Sequence, residues 1–129
     1  MIGSAIYNLL SNDATVSGFV GTKIYPYLAV DDIVYPYIAY KQEGLEPTDD
    51  KDGVSRLDTI TYEVEMWHTD IIELKTLADA VRDVLDRYTG TVEGLNIQSV
   101  KFNAENTDYM DDKGRIYLTM QSYAFRVVK

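Results

Sequence analysis

The sharpest change of period along the chain falls between Asp58 and Tyr88. Ile60, Tyr62, Val64 and Met66 alternate with Thr59, Thr61, Glu63 and Glu65, which predicts a strand with one wet face. After Trp67 the spacing switches to three and four residues, through Ile71, Leu74, Leu77, Ala78, Val81, Val84, Leu85 and Tyr88. Such spacing puts one apolar stripe on a helix. Asp70, with Glu73 three residues on, reads as a capping box at its start. Arg82 and Arg87 suit the negative end of the helix dipole, and Gly90 is the expected stop. The prediction is a strand feeding an amphipathic helix that packs back on a sheet.

The flanking segments are read the same way. Ile2, Ala5, Ile6, Leu9 and Leu10 make a short helical stripe; Asp13 caps a second turn of helix carrying Val16, Phe19 and Val20, with Gly21 behind it. Ile24 to Leu28, interrupted by Pro26, reads as an edge strand or extended arm. Tyr35 to Glu43 reads as a strand after a turn at Asp31 and Asp32. The echo between Tyr25-Pro26-Tyr27 and Tyr35-Pro36-Tyr37 is too short to count as a repeat. Gly44 to Arg56 breaks every pattern, with Pro47, Gly53 and the polar run Thr48-Asp49-Asp50-Lys51-Asp52, and reads as a long, flexible acidic loop. Val92 to Phe102 reads as a strand and Asn103 to Gly114 as a second polar loop. Arg115 to Val128 is a final strand in which Ile116, Leu118 and Met120 share one face, whereas Tyr123, Phe125 and Val127 share the other. Either a bulge near Gln121 and Ser122 shifts the register, or both faces are covered along different parts of its length. The sum is a single α+β domain over residues 1–129. It has a mainly antiparallel four- to five-stranded sheet, with an N-terminal helix and one longer amphipathic helix on one face.

Composition narrows the function more than the fold. A chain of 129 residues buries roughly two thirds of its unfolded surface. Twenty-one acidic against twelve basic residues leave a formal charge of −9, which argues against a broad phosphate-binding surface. Glu43 to Asp58 holds six acids and two bases and Asn103 to Arg115 four acids and two bases, so these two stretches carry most of the excess. With no cysteine there is no disulfide, thiolate zinc site or thiol nucleophile. No run of about 18 apolar residues and no leader pattern occurs, so the expectation is a soluble protein without a membrane partner. Eleven tyrosines suit half-buried sheet surfaces and interfaces.

Candidate chemistry is sparse. Asp50, Asp52 and Gly53 invite a calcium-loop reading, but Thr48 and Thr59 stand where that loop needs its first Asp and its bidentate Glu. His68 is the single histidine; without a second His or Cys it builds no transition-metal site, and packing at the strand–helix junction is the better reading. Glu63 and Glu65 share one strand face, a conceivable carboxylate pair, with nothing else marking a cleft. No Gly-rich phosphate cradle is present. Neither catalysis nor a cofactor is expected.

The order of features resembles a known family. A short N-terminal helix is followed by Asp13-Ala-Thr-Val and Gly21-Thr-Lys-Ile-Tyr-Pro. Then come Tyr35-Pro-Tyr-Ile-Ala-Tyr, a long acidic stretch, Tyr62-Glu-Val-Glu-Met-Trp, a Leu/Ala/Val helix and a final Tyr123-Ala-Phe-Arg-Val. From about Ile2 to Val127 this succession looks like the tail-completion (tail-terminator, head–tail joining) proteins of long-tailed bacteriophages. The resemblance implies a non-enzymatic virion subunit, assembled in the host cytoplasm into a hexameric ring at the neck. That ring caps the head-proximal end of the tail tube, with tail tube protein and a head connector or stopper as partners, while DNA passes through the lumen without specific binding. Interface residues are expected among the acidic stretches, at Glu46, Asp49, Asp50, Lys51, Asp52, Arg56, Asp108, Tyr109, Asp111 and Asp112. An acidic monomeric or dimeric binding module, for example a DNA mimic, is the alternative reading.

Overall fold

Two N-terminal helices form where the stripes predict them. Helix α1 spans Ile2–Ser11 and α2 spans Ala14–Val20. Asp13 caps α2, its carboxylate accepting the Val16 N–H at 3.0 Å, and Gly21 closes it at φ +59°, a conformation that suits a residue without Cβ. In this computed structural model the described residues are 2–27, 34–50, 53–111 and 115–128. Strand β1 (Ile24–Pro26) leads to β2 (Tyr37–Asp50), β3 (Gly53–His68), helix α3 (Ile71–Leu85), β4 (Gly90–Val92), β5 (Leu95–Asp111) and β6 (Ile116–Val128).

The sheet corrects the expected fold class. It has six strands in the order β1-β2-β3-β6-β5-β4, and it is mixed, because β1 runs parallel to β2 while every other neighbour is antiparallel. The extra strand is β4, joined to β5 through Glu93 and Gly94, both at positive φ, the backbone a two-residue hairpin turn demands. The sheet curves into a half-barrel, and the second N-terminal turn of helix is an element in its own right, giving three helices where the expected fold class counted two.

Neither expected loop is a loop. Gly44 to Asp50 and Gly53 to Arg56 are strand, paired as far as Asp50 opposite Gly53, and Asn103 to Asp111 is strand, paired as far as Asp111 opposite Ile116. Backbone ladders need no apolar alternation where neither face is buried, and the side chains of Gln42 to Pro47 and Asn103 to Tyr109 are exposed. Residues 51–52 and 112–114 lie outside the described residues, as does the turn expected at Asp31 and Asp32.

The core lies between the three helices and one face of the sheet. Ile38 and Tyr40 of β2, Ile60, Tyr62, Val64 and Met66 of β3, and Tyr123, Phe125 and Val127 of β6 meet the buried stripe Leu74, Leu77, Ala78, Val81 and Leu85 of α3. Asp70 caps α3 through the Ile72 and Glu73 N–H groups at 2.9 and 3.0 Å. The helix ends earlier than Gly90. Asp86 is extended and Arg87 sits at φ +65°. There the chain bonds to β5, with Arg87 N–H on the Val100 carbonyl at 2.9 Å and the Asp86 carboxylate accepting from the Phe102 N–H at 3.2 Å. The final strand has no bulge, since its register with β3 runs unbroken from Tyr117 to Val128. The offsets lie in β5, at Gln98, Asn103 and Met110. Of the two readings of β6, coverage of both faces is the one observed: Leu118 is buried on the helix-free face, and Gln121, Tyr123 and Phe125 are buried on the other.

Candidate assembly surface

The residues expected at an interface fall into two groups at opposite ends of the sheet. β3 and β6 pair from Leu57 opposite Val128 to His68 opposite Tyr117. The β2–β3 hairpin runs on past the first end to Asp50 and Gly53, whereas the β5–β6 hairpin runs past the second to Asp111 and Ile116. Glu46 is exposed on β2 opposite Thr59; Asp49 and Asp50 lie on the same strand and Arg56 on β3. Asp108 and Tyr109 are exposed on β5, with the Tyr109 ring 5.2 Å from that of Tyr117, and Asp111 closes the strand. Lys51, Asp52 and Asp112 are outside the described residues. The acidic stretches therefore form two separate tips and not one patch.

The helix-free face of the sheet holds the features that sequence reasoning missed. At one end Tyr25, Tyr35, Tyr37 and Trp67 converge from three segments. Tyr37 stacks on Trp67 with rings 5.9 Å apart and 9° from parallel, and Tyr25 and Tyr35 lie 6.2 and 5.6 Å from Tyr37. Burial, then the neighbouring Tyr35 and Glu65, push the Tyr37 hydroxyl up to about 12. The two Tyr-Pro-Tyr segments are thus neighbours in space, the one signal from which this cluster was legible. Beside it Lys41 Nζ lies 3.6 Å from Glu63 and 3.8 Å from Glu65, and the Trp67 indole N–H donates to Glu65 at 3.2 Å. Burial raises the Glu65 carboxyl above its ordinary range, and the Glu63 carboxylate adds to this. The pair is compensated by a lysine on an open sheet face.

His68 does structural work. Its Nδ1 accepts the Thr69 N–H at 2.8 Å and its Nε2 lies 3.4 Å from Glu73, so the ring ties the end of β3 to the first turn of α3. On the helix side, the fully buried Gln121 donates to the Ala78 carbonyl at 2.9 Å and to Glu105 at 2.8 Å, and it accepts from the Tyr123 hydroxyl at 2.6 Å. Burial pushes that hydroxyl well above the usual phenol range. No group of three or more His, Cys, Asp or Glu side chains suited to a metal ion occurs among the described residues. Two clefts flank α1. An open one of about 350 Å³ lies against α3, lined by Asn8, Asn12, Asp83 and Tyr88, and one of about 280 Å³ is lined by Tyr27, Tyr40, Tyr62 and Gln42.

A chain with two projecting hairpins, a tyrosine-rich open sheet face and no assembled reaction centre among its described residues has the build of an assembly subunit. The sequence pattern of the family described as Tail completion protein gp17 matches residues 4–127. The chain belongs to that family. Membership makes it a structural protein of phage-type tails. No curated protein matches it. Among solved structures, a chain from the "Virion of native gene transfer agent (GTA) particle" shares its fold at a TM-score of 0.83 and 18% identity, over 99% of this chain and 95% of that one. The fold is therefore shared at a level of identity where few side chains are.

Proposed function

We propose that copies of this tail completion protein close into a hexameric ring at the head-proximal end of the tail tube, in the neck of the virion. There the ring ends tube growth and receives the head connector. The observation that carries the reading is the family match across residues 4–127, which takes in part of every element from α1 to β6. The geometry is suited to it. A ring of identical subunits needs a heterologous contact, one patch against a different patch, and a subunit with distinct hairpins at its two ends offers one end to the tube and the other to the connector. The role needs no catalytic group and no cofactor. Its partners are further copies of the chain, tail tube protein and the connector, and the acidic tips repel DNA passing through the lumen, so that it does not adhere.

Light scattering across a concentration series, alone and with tail tube protein, is expected to reach six times the 14.7 kDa chain mass. Electron microscopy of tails assembled without the protein is expected to show tubes of uncontrolled length that fail to join heads. Tails of normal length joined to heads would overturn the reading.

A further inference from the structure

The helical layer and the helix-free face lie on opposite sides of the sheet, and each carries charge that the subunit leaves uncompensated. The cleft between α1 and α3 does not stand alone. A second one, of about 250 Å³ and lined by Thr15, Thr76, Asp79 and Ala80, shares Asp13 and Asp83 with it. Together they make one furrow along α3 from Thr76 to Tyr88, with α1 and the start of α2 as its far bank. Its charged groups are Asp13, Asp79 and Asp83, and no lysine or arginine among the described residues lines it. None of the three carboxylates joins an ion pair among the described residues, and neither do Lys75 and Arg87, the cations that flank this stretch of α3 in sequence. Like charges four residues apart on a helix are unfavourable, so Asp79 and Asp83 carry a cost that a cation from outside the subunit would remove.

The matching cations stand on the other side. Val100, Phe125 and Val127 point into the core, which turns Lys101 of β5 and Arg126 of β6 onto the helix-free face. Lys101 lies opposite Ala124 and Arg126 opposite Ser99, so the two are diagonal neighbours with backbones roughly 7–8 Å apart. Asp79 and Asp83 have a comparable spacing, about 5–6 Å between Cβ atoms. Lys101 and Arg126 are exposed and join no ion pair among the described residues. Around them the face is low, with Ser99, Thr61, Ser122 and Ala124 as neighbours, so another surface can approach closely. The carboxylates of that same face are a poorer match, because Glu63 and Glu65 already share Lys41.

We infer that the helix-free face of one copy seats on the helical layer of the next, with Lys101 and Arg126 entering the furrow against Asp79 and Asp83. Two different patches meet in this contact, so it is heterologous, and repeating it by rotation closes a ring. It rests on the ring reading and names the surfaces that would close it. The opposed charges orient the encounter and reject a copy presented the other way round.

Reversing both cations, Lys101→Glu with Arg126→Glu, is expected to raise the concentration for half-assembly at least about tenfold. Adding Asp79→Lys and Asp83→Lys is expected to restore it, with thermal unfolding confirming that each exposed substitution leaves the fold intact. The chain has no cysteine, so Asp83→Cys and Lys101→Cys chains can be mixed and treated with a short bis-maleimide. Mixed chains are expected to crosslink, and either chain alone is not. Assembly undiminished by the double reversal, a loss that the charge swap fails to rescue, or mixed chains that never crosslink would each overturn the contact and leave the ring reading standing. A protein that stays monomeric at every concentration, and beside tail tube protein, would overturn both.

Discussion

The two faces of the sheet are built from the same strands by different rules. The helix side is filled by period-two aliphatic and aromatic residues that meet α3, with a polar network that is buried at Gln121 and Tyr123 and reaches the exposed Glu105. The helix-free side is aromatic at one end, carboxylate-rich in the middle and polar beyond, and its order comes from stacking and charge. One face holds the subunit together; the other is left to do something with it.

Substitutions on the two faces should separate these roles. The largest effect is expected for Phe125→Ala, which removes a fully buried ring packed edge-on to Tyr62 and costs about 3–5 kcal/mol by denaturant unfolding. Gln121→Ala comes next, at about 1–3 kcal/mol, because it strands the buried Tyr123 hydroxyl without its partner. Trp67→Ala, on the helix-free side, is expected to lower subunit stability by only about 1–2 kcal/mol, through the lost stack on Tyr37. A loss as large as that of Phe125→Ala would erase the distinction between the faces.

The smallest expected effect is a pH dependence of opposite sign on the two kinds of carboxylate. Glu43 and Glu65 have raised folded pKa values, so the protonated forms are favoured in the native state. Stability gains from them as pH falls from neutral through those values, and the gain is complete below the ordinary glutamate range. Asp70 is lowered by its backbone hydrogen bonds, so its contribution is present above the ordinary aspartate range and is lost as pH falls through its lower folded value. Thermal melts from neutral to acid pH should therefore rise slightly before they fall, and Glu65→Gln should flatten the rise.

Which parts of this were legible in the sequence follows from what each part needs to form. β3 and α3 announce themselves because each buries one face, and burial imposes a period on the side chains. Gly44–Pro47 and Asn103–Tyr109 bury neither face, so their backbone ladders left no side-chain period and they read as loops. β6 was ambiguous at one residue, Gln121, a polar group at a core position whose partners come from α3 and β5 and cannot be foreseen from its neighbours. The acidic residues singled out for an interface were found by composition, which locates charge but not direction, and the structure divides them between two ends. The aromatic cluster on the helix-free face was hidden because Tyr25, Tyr35 and Trp67 are distant in sequence and meet around Tyr37 through the parallel pairing of β1 with β2 and the antiparallel pairing of β2 with β3.

β6 lies at the centre of the sheet, between β3 and β5, although it follows both along the chain. β5 shares no ladder with the β2–β3 hairpin until that strand is laid between them, so the slowest event in making this subunit is expected to be the docking of its final strand on β3. Loss of the whole of Ile116–Val128 would leave β4 and β5 disconnected from β1, β2 and β3, and such a chain is expected not to enter a growing particle.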